Sequence, residues 1–401
     1  MTAQETDLST DRSAAPARGK ADRLPSLTGL RFVAALMVFA THILYYTPLI
    51  GGETGQTLRE AFTLSGSYGV GFFFILSGFV LTWTARRGDT TTSFWRRRLV
   101  KIGPMHLVTF ALAAILILST DRPTRAIDWI TSLFLQQTWV PSIQMNSAVN
   151  GVSWSLACEF FFYLAFPALW FVLRRIPERW LWPALGATLA LIVGAFLVAT
   201  YLVNDQPRLP VFGVDGEASY TQVWFVYFFP PVRALEFVLG IVLARIVMAG
   251  QWPRIGLVPA FIVAVAGYLA AVRMPYLAGA AGLATVWTAP LIAAAAAGDE
   301  RRSPSVFRSR PLVFLGEISF AFYMVHWIIL VTFTELVGPT HVFSTVTGWL
   351  LVPVLLAVVI LCSTILYRFV EVPLVQRFGR HRVGADRTGA GERGLPTAGL
   401  H

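Results

Sequence analysis

The sequence predicts an all-α protein made of membrane-spanning helices. Three observations carry this: 55% of the 401 residues are hydrophobic, only 13% are charged, and the apolar residues gather into runs of spanning length. A hydrocarbon core about 30 Å thick takes roughly 20 apolar residues per helix, and a backbone crossing it must satisfy its own hydrogen bonds. About ten such helices are expected in a multi-pass arrangement, with membrane lipid as the surrounding partner.

The spans are expected in order near 27–48, 68–85, 103–120, 152–173, 180–203, 222–247, 255–272, 276–297, 312–336 and 345–367. The third is preceded by the basic stretch "SFWRRRLVKIGPM", and the sixth is broken by Pro230 and Pro231. Segment 128–145 is too polar to span and is expected to lie at an interface. Residues 1–23 and 381–401 lack the apolar content to fold and are expected to be disordered cytoplasmic tails on a single transmembrane domain, 24–380. No cleavable signal peptide pattern precedes the first span.

Orientation follows from the basic residues, because cytoplasmic loops carry the excess of Lys and Arg. With ten spans and the N-terminus inside, 25 of the 32 basic residues fall inside and 5 outside, leaving Arg31 and Arg233 within the membrane. Both termini are therefore expected in the cytoplasm. The net charge of +10 is then a matter of topology and anionic lipid, with no nucleic acid implied. The two cysteines, Cys158 and Cys362, fall in different spans, so neither a disulfide framework nor a cysteine metal site is indicated, and no metal is expected.

Several ionisable residues sit inside apolar runs, where such groups are costly and face a polar cavity or a partner. Arg31 and His42 lie eleven residues apart on the first span; at 100° per residue they return to one face, about 16 Å apart along the axis, and are expected to line one groove. Glu159 and His326 reach a comparable depth from opposite ends of their spans, and Arg233 and Glu236 lie one turn apart after the proline break. Each has a plainer reading: a snorkelling interfacial arginine, a helix-to-helix hydrogen bond, an internal ion pair in a kinked helix. Their convergence at one depth favours a wetted cavity.

These residues also carry a resemblance. Arg31 and His42 with ten residues between them, followed in order by "FFFILSGFVLT", "FWRRRLVKIGPMH", "WSLACEFFFYL", "RALEFVLG", "SFAFYMVH" and "FVEVPL", resemble the membrane-bound acyltransferase-3 family along nearly the whole membrane portion. Two positions depart from the pattern: Phe160 stands where a second acidic residue is common, and His106 where an aromatic is frequent.

The resemblance implies O-acyl transfer, commonly of acetyl, from an acyl-CoA such as acetyl-CoA to a hydroxyl of a sugar-containing acceptor, in a bacterial plasma membrane and with no bound cofactor. The acceptor would be a glycosylated small molecule such as a macrolide, or a cell-surface glycan. Arg31 with Arg96, Arg97, Arg98 and Lys101 would hold the donor phosphates, since guanidinium groups suit bidentate phosphate binding; Arg86 and Arg87 are close in sequence. His42 would take the acceptor's proton as general base, or accept the acyl group itself. Glu159 would hold or stabilise the imidazole, and Trp154, Tyr163, Arg233, Glu236 and His326 would line the acceptor pocket or cavity. The rival reading from another class is a transporter in which the same His, Glu and Arg groups form a proton or substrate relay.

Overall fold

A computed structural model describes residues 24–85, 88–208, 216–280, 282–341 and 343–378. The two polar tails and the pair Arg86 and Arg87 lie outside the described residues. In chain order the helices are α1 (Pro25–Tyr46), α2 (Gly52–Phe62), α3 (Ser65–Trp83), α4 (Thr91–Ser119), α5 (Ala126–Leu133), α6 (Ile143–Asn146), α7 (Ser153–Leu173), α8 (Leu181–Tyr201) and α9 (Tyr220–Val223). There follow α10 (Pro230–Met248), α11 (Leu257–Ala271), α12 (Tyr276–Ala280), α13 (Gly282–Thr285), α14 (Ala289–Glu300), α15 (Arg310–Glu317), α16 (Ser319–Val337), α17 (Thr345–Leu366) and α18 (Val372–Phe378). Among the described residues one isolated bridge, Arg208 to Ser219, is the sole β pairing.

Among the described residues, seven helical stretches are long and apolar enough to cross a membrane: Pro25–Tyr46, Gly52–Trp83, Thr91–Ser119, Ser153–Leu173, Glu178–Tyr201, Ser319–Val337 and Thr345–Phe378. Lipid-facing character is plain on several, with Leu118 and Leu361 72% and 60% exposed. The chain is an all-α, multi-pass membrane protein.

The other three expected spans are helical but depart from the expectation. The sixth begins only at Pro230, where prolines at the first helical turn cost no hydrogen bond; before it lie α9 and a π-helical turn, Trp224–Phe228. The seventh, α11, is 15 residues long, short of a full span. The eighth is not a uniform α-helix: a 3-10 turn at Val286–Thr288 precedes α14. The ninth is shorter than expected because α15 ends at Glu317 and packs across α1, where a Cβ on Gly316 would stand 1.7 Å from the Thr28 carbonyl oxygen. A new helix, α16, starts at Ser319.

Segment 128–145 forms only α5, α6 and the loop between them, as its polarity requires. At its start the Arg125 side chain, which reaches Asp128 at 2.6 Å, holds that carboxyl below its ordinary range.

Four helices set the position of the site. α3 and α10 cross backbone to backbone because each offers a glycine at the contact: a Cβ on Gly78 would lie 1.9 Å from the Phe237 carbonyl oxygen, and one on Gly240 1.9 Å from that of Ile75. In a bilayer, where lipid is as apolar as any side chain, this close approach supplies the packing attraction. α1 packs on both α3 and α16, and its N-terminal amide at Ser26 donates to Asp299 at 2.8 Å while the Ser26 hydroxyl donates at 2.7 Å. A carboxylate at the positive end of a helix satisfies donors that have no partner within it, and it ties α1 to the end of α14.

Candidate active site

His42 and His326 meet. α1 presents His42, α16 presents His326, and the two rings lie nearly coplanar, 16° apart, with His42 Nδ1 2.8 Å from His326 Nε2. The other ring nitrogen of His326 decides the protonation pattern. Its Nδ1 lies 2.7 Å from the Tyr323 carbonyl oxygen and 3.2 Å from that of Phe322. Carbonyls only accept, so this Nδ1 carries the hydrogen, and in a neutral ring Nε2 is then the acceptor. It follows that His42 donates through Nδ1–H and keeps its lone pair on Nε2, the atom a base would use.

His42 opens onto a cavity of about 100 Å³ walled largely by aromatic side chains, among them Tyr46, Trp154, Tyr227, Tyr276 and Trp327. The Trp327 ring is edge-on to His42 with centroids 5.1 Å apart. That ring fits because residue 151 is glycine, where a Cβ would come within 2.6 Å of the indole.

Arg31 opens elsewhere. It borders a cavity of about 180 Å³ together with Ser77, Arg98, Lys101, Glu159 and Tyr163. The single groove expected from the helical spacing is therefore divided in two. The same face of α1 does serve both ends, but a layer from other helices crosses between them: Phe74 against Trp154, with centroids 6.4 Å apart, and the Tyr323 hydroxyl bonded to Ser155 at 2.6 Å. Phe74, Ser155 and Tyr323 line the Arg31 cavity, while Trp154 lines the His42 cavity.

The remaining expected residues divide in the same way. Glu159 accepts from Tyr163 and lies 3.3 Å from the Ser77 hydroxyl, so the ring partner of His42 is His326 and not Glu159. Tyr163 thus belongs with Arg31, whereas Trp154 belongs with His42. Arg98 and Lys101, one turn apart on α4, face the Arg31 cavity, and Lys101 pairs with Glu371. Arg97 points to a neighbouring basin and pairs with Asp89; Arg96 is exposed. Arg233 and Glu236 border neither cavity. They form an ion pair at 3.1 Å, each side chain 1% exposed, with Glu236 also accepting from Thr285 and the guanidinium over the rings of Phe74 and Tyr227. They support the dividing wall from behind.

Sequence reasoning did not single out Tyr323 and Ser155, or the rings of Tyr46, Tyr227, Tyr276 and Trp327. A signal existed for two of them, since Tyr323 and Trp327 flank His326 within one helical turn; the others are assembled only by tertiary packing.

The family model described as an acyltransferase domain matches residues 24–368. The chain belongs to the acyltransferase-3 family. Acyltransferase MdmB of Streptomyces mycarofaciens is 40% identical over 372 residues, covering 90% of this chain and 94% of that protein. O-acetyltransferase OatA of Staphylococcus aureus (strain NCTC 8325 / PS 47) is 25% identical over 388 residues, 88% of this chain but 57% of OatA, so the chain spans little more than half of that relative. Peptidoglycan O-acetyltransferase OatA of Listeria monocytogenes is 26% identical over 218 residues, 49% of this chain and 32% of that protein. No solved structure matches the chain. As a member of this family the protein is an acyltransferase, and several residues of the family-like motifs, among them Arg31, His42, Arg98, Lys101, Trp154 and Glu159, border the two cavities.

Proposed function

We propose that the protein moves an acyl group, acetyl in the simplest case, from acyl-CoA to a hydroxyl of a sugar-containing acceptor. The donor enters by the Arg31 cavity and the acceptor by the His42 cavity, and transfer requires the Ser155–Tyr323 contact between them to part so that the thioester carbonyl reaches the hydroxyl beside His42. The observation that carries this reading is the His42–His326 pair, because it sets a basic nitrogen toward an aromatic-walled cavity, and such walls suit the apolar faces of a sugar ring or macrocycle.

In the reaction His42 Nε2 takes the proton of the acceptor hydroxyl as its oxygen attacks the thioester carbonyl. The C–O bond forms, the C–S bond breaks, and CoA departs as the thiol after the imidazolium returns the proton. In the variant route His42 Nε2 attacks the thioester first, the C–S bond breaks to release the CoA thiolate, and the acyl group then passes to the hydroxyl oxygen as the hydroxyl proton goes to the thiolate. His326 serves both routes by accepting from Nδ1–H throughout, the part an aspartate plays in a hydrolytic triad. Arg31, with Arg98 and Lys101, meets the donor's anionic groups. Glu159 acts from the donor side, holding the Tyr163 hydroxyl along the thioester's path.

With both termini in the cytoplasm, the Arg31 end of α1 opens toward the compartment that makes acyl-CoA. A glycosylated small molecule such as a macrolide, or a glycan, then meets His42 from the other end. The support is the 25 to 5 distribution of basic residues. The test is release of free CoA thiol from acetyl-CoA by the purified protein in lipid discs, with acetylated acceptor followed by mass spectrometry. Acceptor-dependent thiol release is expected, whereas flux of a solute across vesicles without CoA turnover would replace this reading with a transporter.

A further inference from the structure

The wall between the two cavities holds more hydrogen-bond donors than acceptors. Of its side chains, Phe74, Trp154, Ser155 and Tyr323, only Ser155 and Tyr323 carry hydroxyls, and both border the Arg31 cavity. Their oxygens lie 2.6 Å apart. Both also point at one carbonyl, that of Val152, which stands 3.1 Å from Ser155 Oγ and 3.2 Å from the Tyr323 phenol and also receives the Ser155 amide at 3.4 Å. A carbonyl oxygen has two lone pairs, so three donors crowd it, and one hydroxyl gives its hydrogen to the other. One turn earlier on α16, Ser319 borders the same cavity, and its buried hydroxyl makes no hydrogen bond among the described residues. The same helix ties the phenol to the base: His326 Nδ1–H donates to the Tyr323 carbonyl at 2.7 Å, so hydroxyl and imidazole are set within one turn of each other.

We propose that Tyr323 and Ser155 bind the oxyanion of the reaction: the two hydroxyls part around the thioester carbonyl and donate to its oxygen. The proposal rests on the acyl-CoA reading above and adds to it the groups that meet the transition-state charge. As the acceptor oxygen bonds to the carbonyl carbon, the C=O π pair moves onto the oxygen, where the two O–H groups hold it. The pair returns as the C–S bond breaks, and the proton held by His42 goes to the thiolate. Neither hydroxyl gains or loses a proton. The same oxygen carries the charge when His42 itself attacks, so both routes use these donors. The arrangement also couples opening of the wall to arrival of the donor. Parting the pair leaves three buried donors for the two lone pairs of Val152, and a carbonyl oxygen in the gap supplies the missing acceptor. A hydrocarbon chain supplies none and does not hold the wall open.

The test uses full-length protein in lipid discs and acetyl-CoA labelled with heavy carbon at the thioester carbonyl. Infrared difference spectra isolate the stretch of that carbonyl, which falls in frequency as donors engage its oxygen. Tyr323→Phe removes one oxygen and keeps the ring, which packs edge-on against Phe73 with centroids 6.2 Å apart, so the wall keeps its shape. The bound band is expected at higher frequency in Tyr323→Phe and in Ser155→Ala than in the parent. Thiol release, measured with an acceptor that the parent acetylates, is expected to lose about 100-fold in kcat in each variant. KM for acetyl-CoA should change less than about twofold, as for a contact made in the transition state, and the melting temperature should stay parental. The pH midpoint of kcat should also stay, because the His42–His326 pair is untouched. A parental band or an undiminished kcat in Tyr323→Phe would overturn the proposal. A raised kcat, or thiol release to water in the variants, would overturn it too and leave the hydroxyl pair as a barrier alone. A lowered kcat with a displaced pH midpoint would overturn it in favour of an effect exerted through the histidines. If the parent shows no bound band and releases no thiol, the acyl-CoA reading fails and takes this proposal with it; if the parent transfers acetyl and the variants match it, the oxyanion assignment alone fails.

Discussion

Replacing His326 tests the central geometric claim, that His42 acts through Nε2 because His326 holds its Nδ1–H. His326→Leu removes the acceptor 2.8 Å from His42 Nδ1 and puts hydrocarbon in its place. A buried donor left without a partner costs about 1–3 kcal/mol. The ring escapes that cost by moving its proton to Nε2, which turns the base into a donor, and the reactive tautomer must then be regained at the same cost. At 1.4 kcal/mol per tenfold, kcat is expected to fall about 5- to 150-fold. KM for the acyl donor should change less than about twofold, because His326 borders neither cavity. His326→Gln sets an amide oxygen near the former Nε2 and restores an acceptor, so it should recover most of the lost kcat. The assay is steady-state thiol release with both substrates varied, beside thermal unfolding of each variant to separate folding from turnover. Parental kcat in His326→Leu, or equal losses in the Leu and Gln variants at equal stability, would refute the tautomer argument.

Other expectations follow from the same structure. His42→Ala should abolish transfer while leaving acetyl-CoA affinity almost intact, whereas Arg31→Ala should weaken donor binding, and Arg31→Lys should do so partially because it keeps charge but loses the planar fork; calorimetry and kinetics on the three variants check the split. Glu159→Gln is expected to disturb the donor side, raising acetyl-CoA KM more than it lowers kcat, and a drop in kcat at constant KM would instead return Glu159 to the service of His42. Gly240→Ala forces a Cβ to within 1.9 Å of the Ile75 carbonyl oxygen and should cost about 1–3 kcal/mol or prevent folding, while Gly103→Ala, with open space around its Cβ, should leave the melting temperature in detergent unchanged or slightly raised. Cysteine substitutions at positions 59 or 208 should label from outside and at 97 or 301 from inside; the reverse pattern would invert the proposed orientation.

What the sequence made legible was depth, and what it withheld was azimuth. Counting about 1.5 Å per residue along each span set Glu159 and His326 at one level with His42, and all three do lie in helices that build the site. Depth does not say which way a helix is turned. α16 turns His326 onto His42, whereas α7 turns Glu159 toward Ser77 and Tyr163 and leaves Trp154, about a turn and a half earlier, facing the histidine cavity. The spacing of Arg31 and His42 correctly implied one face of one helix. It could not reveal the layer of Phe74, Trp154, Ser155 and Tyr323 that crosses that face, because those residues come from three other helices.

The expected spans and the observed helices differ for a related reason. Hydropathy finds a largely apolar run whether it is one helix or several: the run at 276–297 passes through a 3-10 turn at Val286–Thr288, and the run at 312–336 divides between α15 and α16 beside Gly316. Gly279 would set a Cβ 2.4 Å from Leu64, and Gly316 one 1.7 Å from Thr28. Both irregular stretches contribute to the site: α12 supplies Tyr276 to the His42 cavity, and α16, beginning after α15, supplies His326. A continuous span through either region would carry its side chains past α1 at a fixed pitch, 100° per residue. Restarting the helix at Ser319 frees that register, and with it the angle at which His326 Nε2 faces His42 Nδ1. In this bundle, then, the irregular backbone that hides from a hydropathy scan is what lets the two histidines meet.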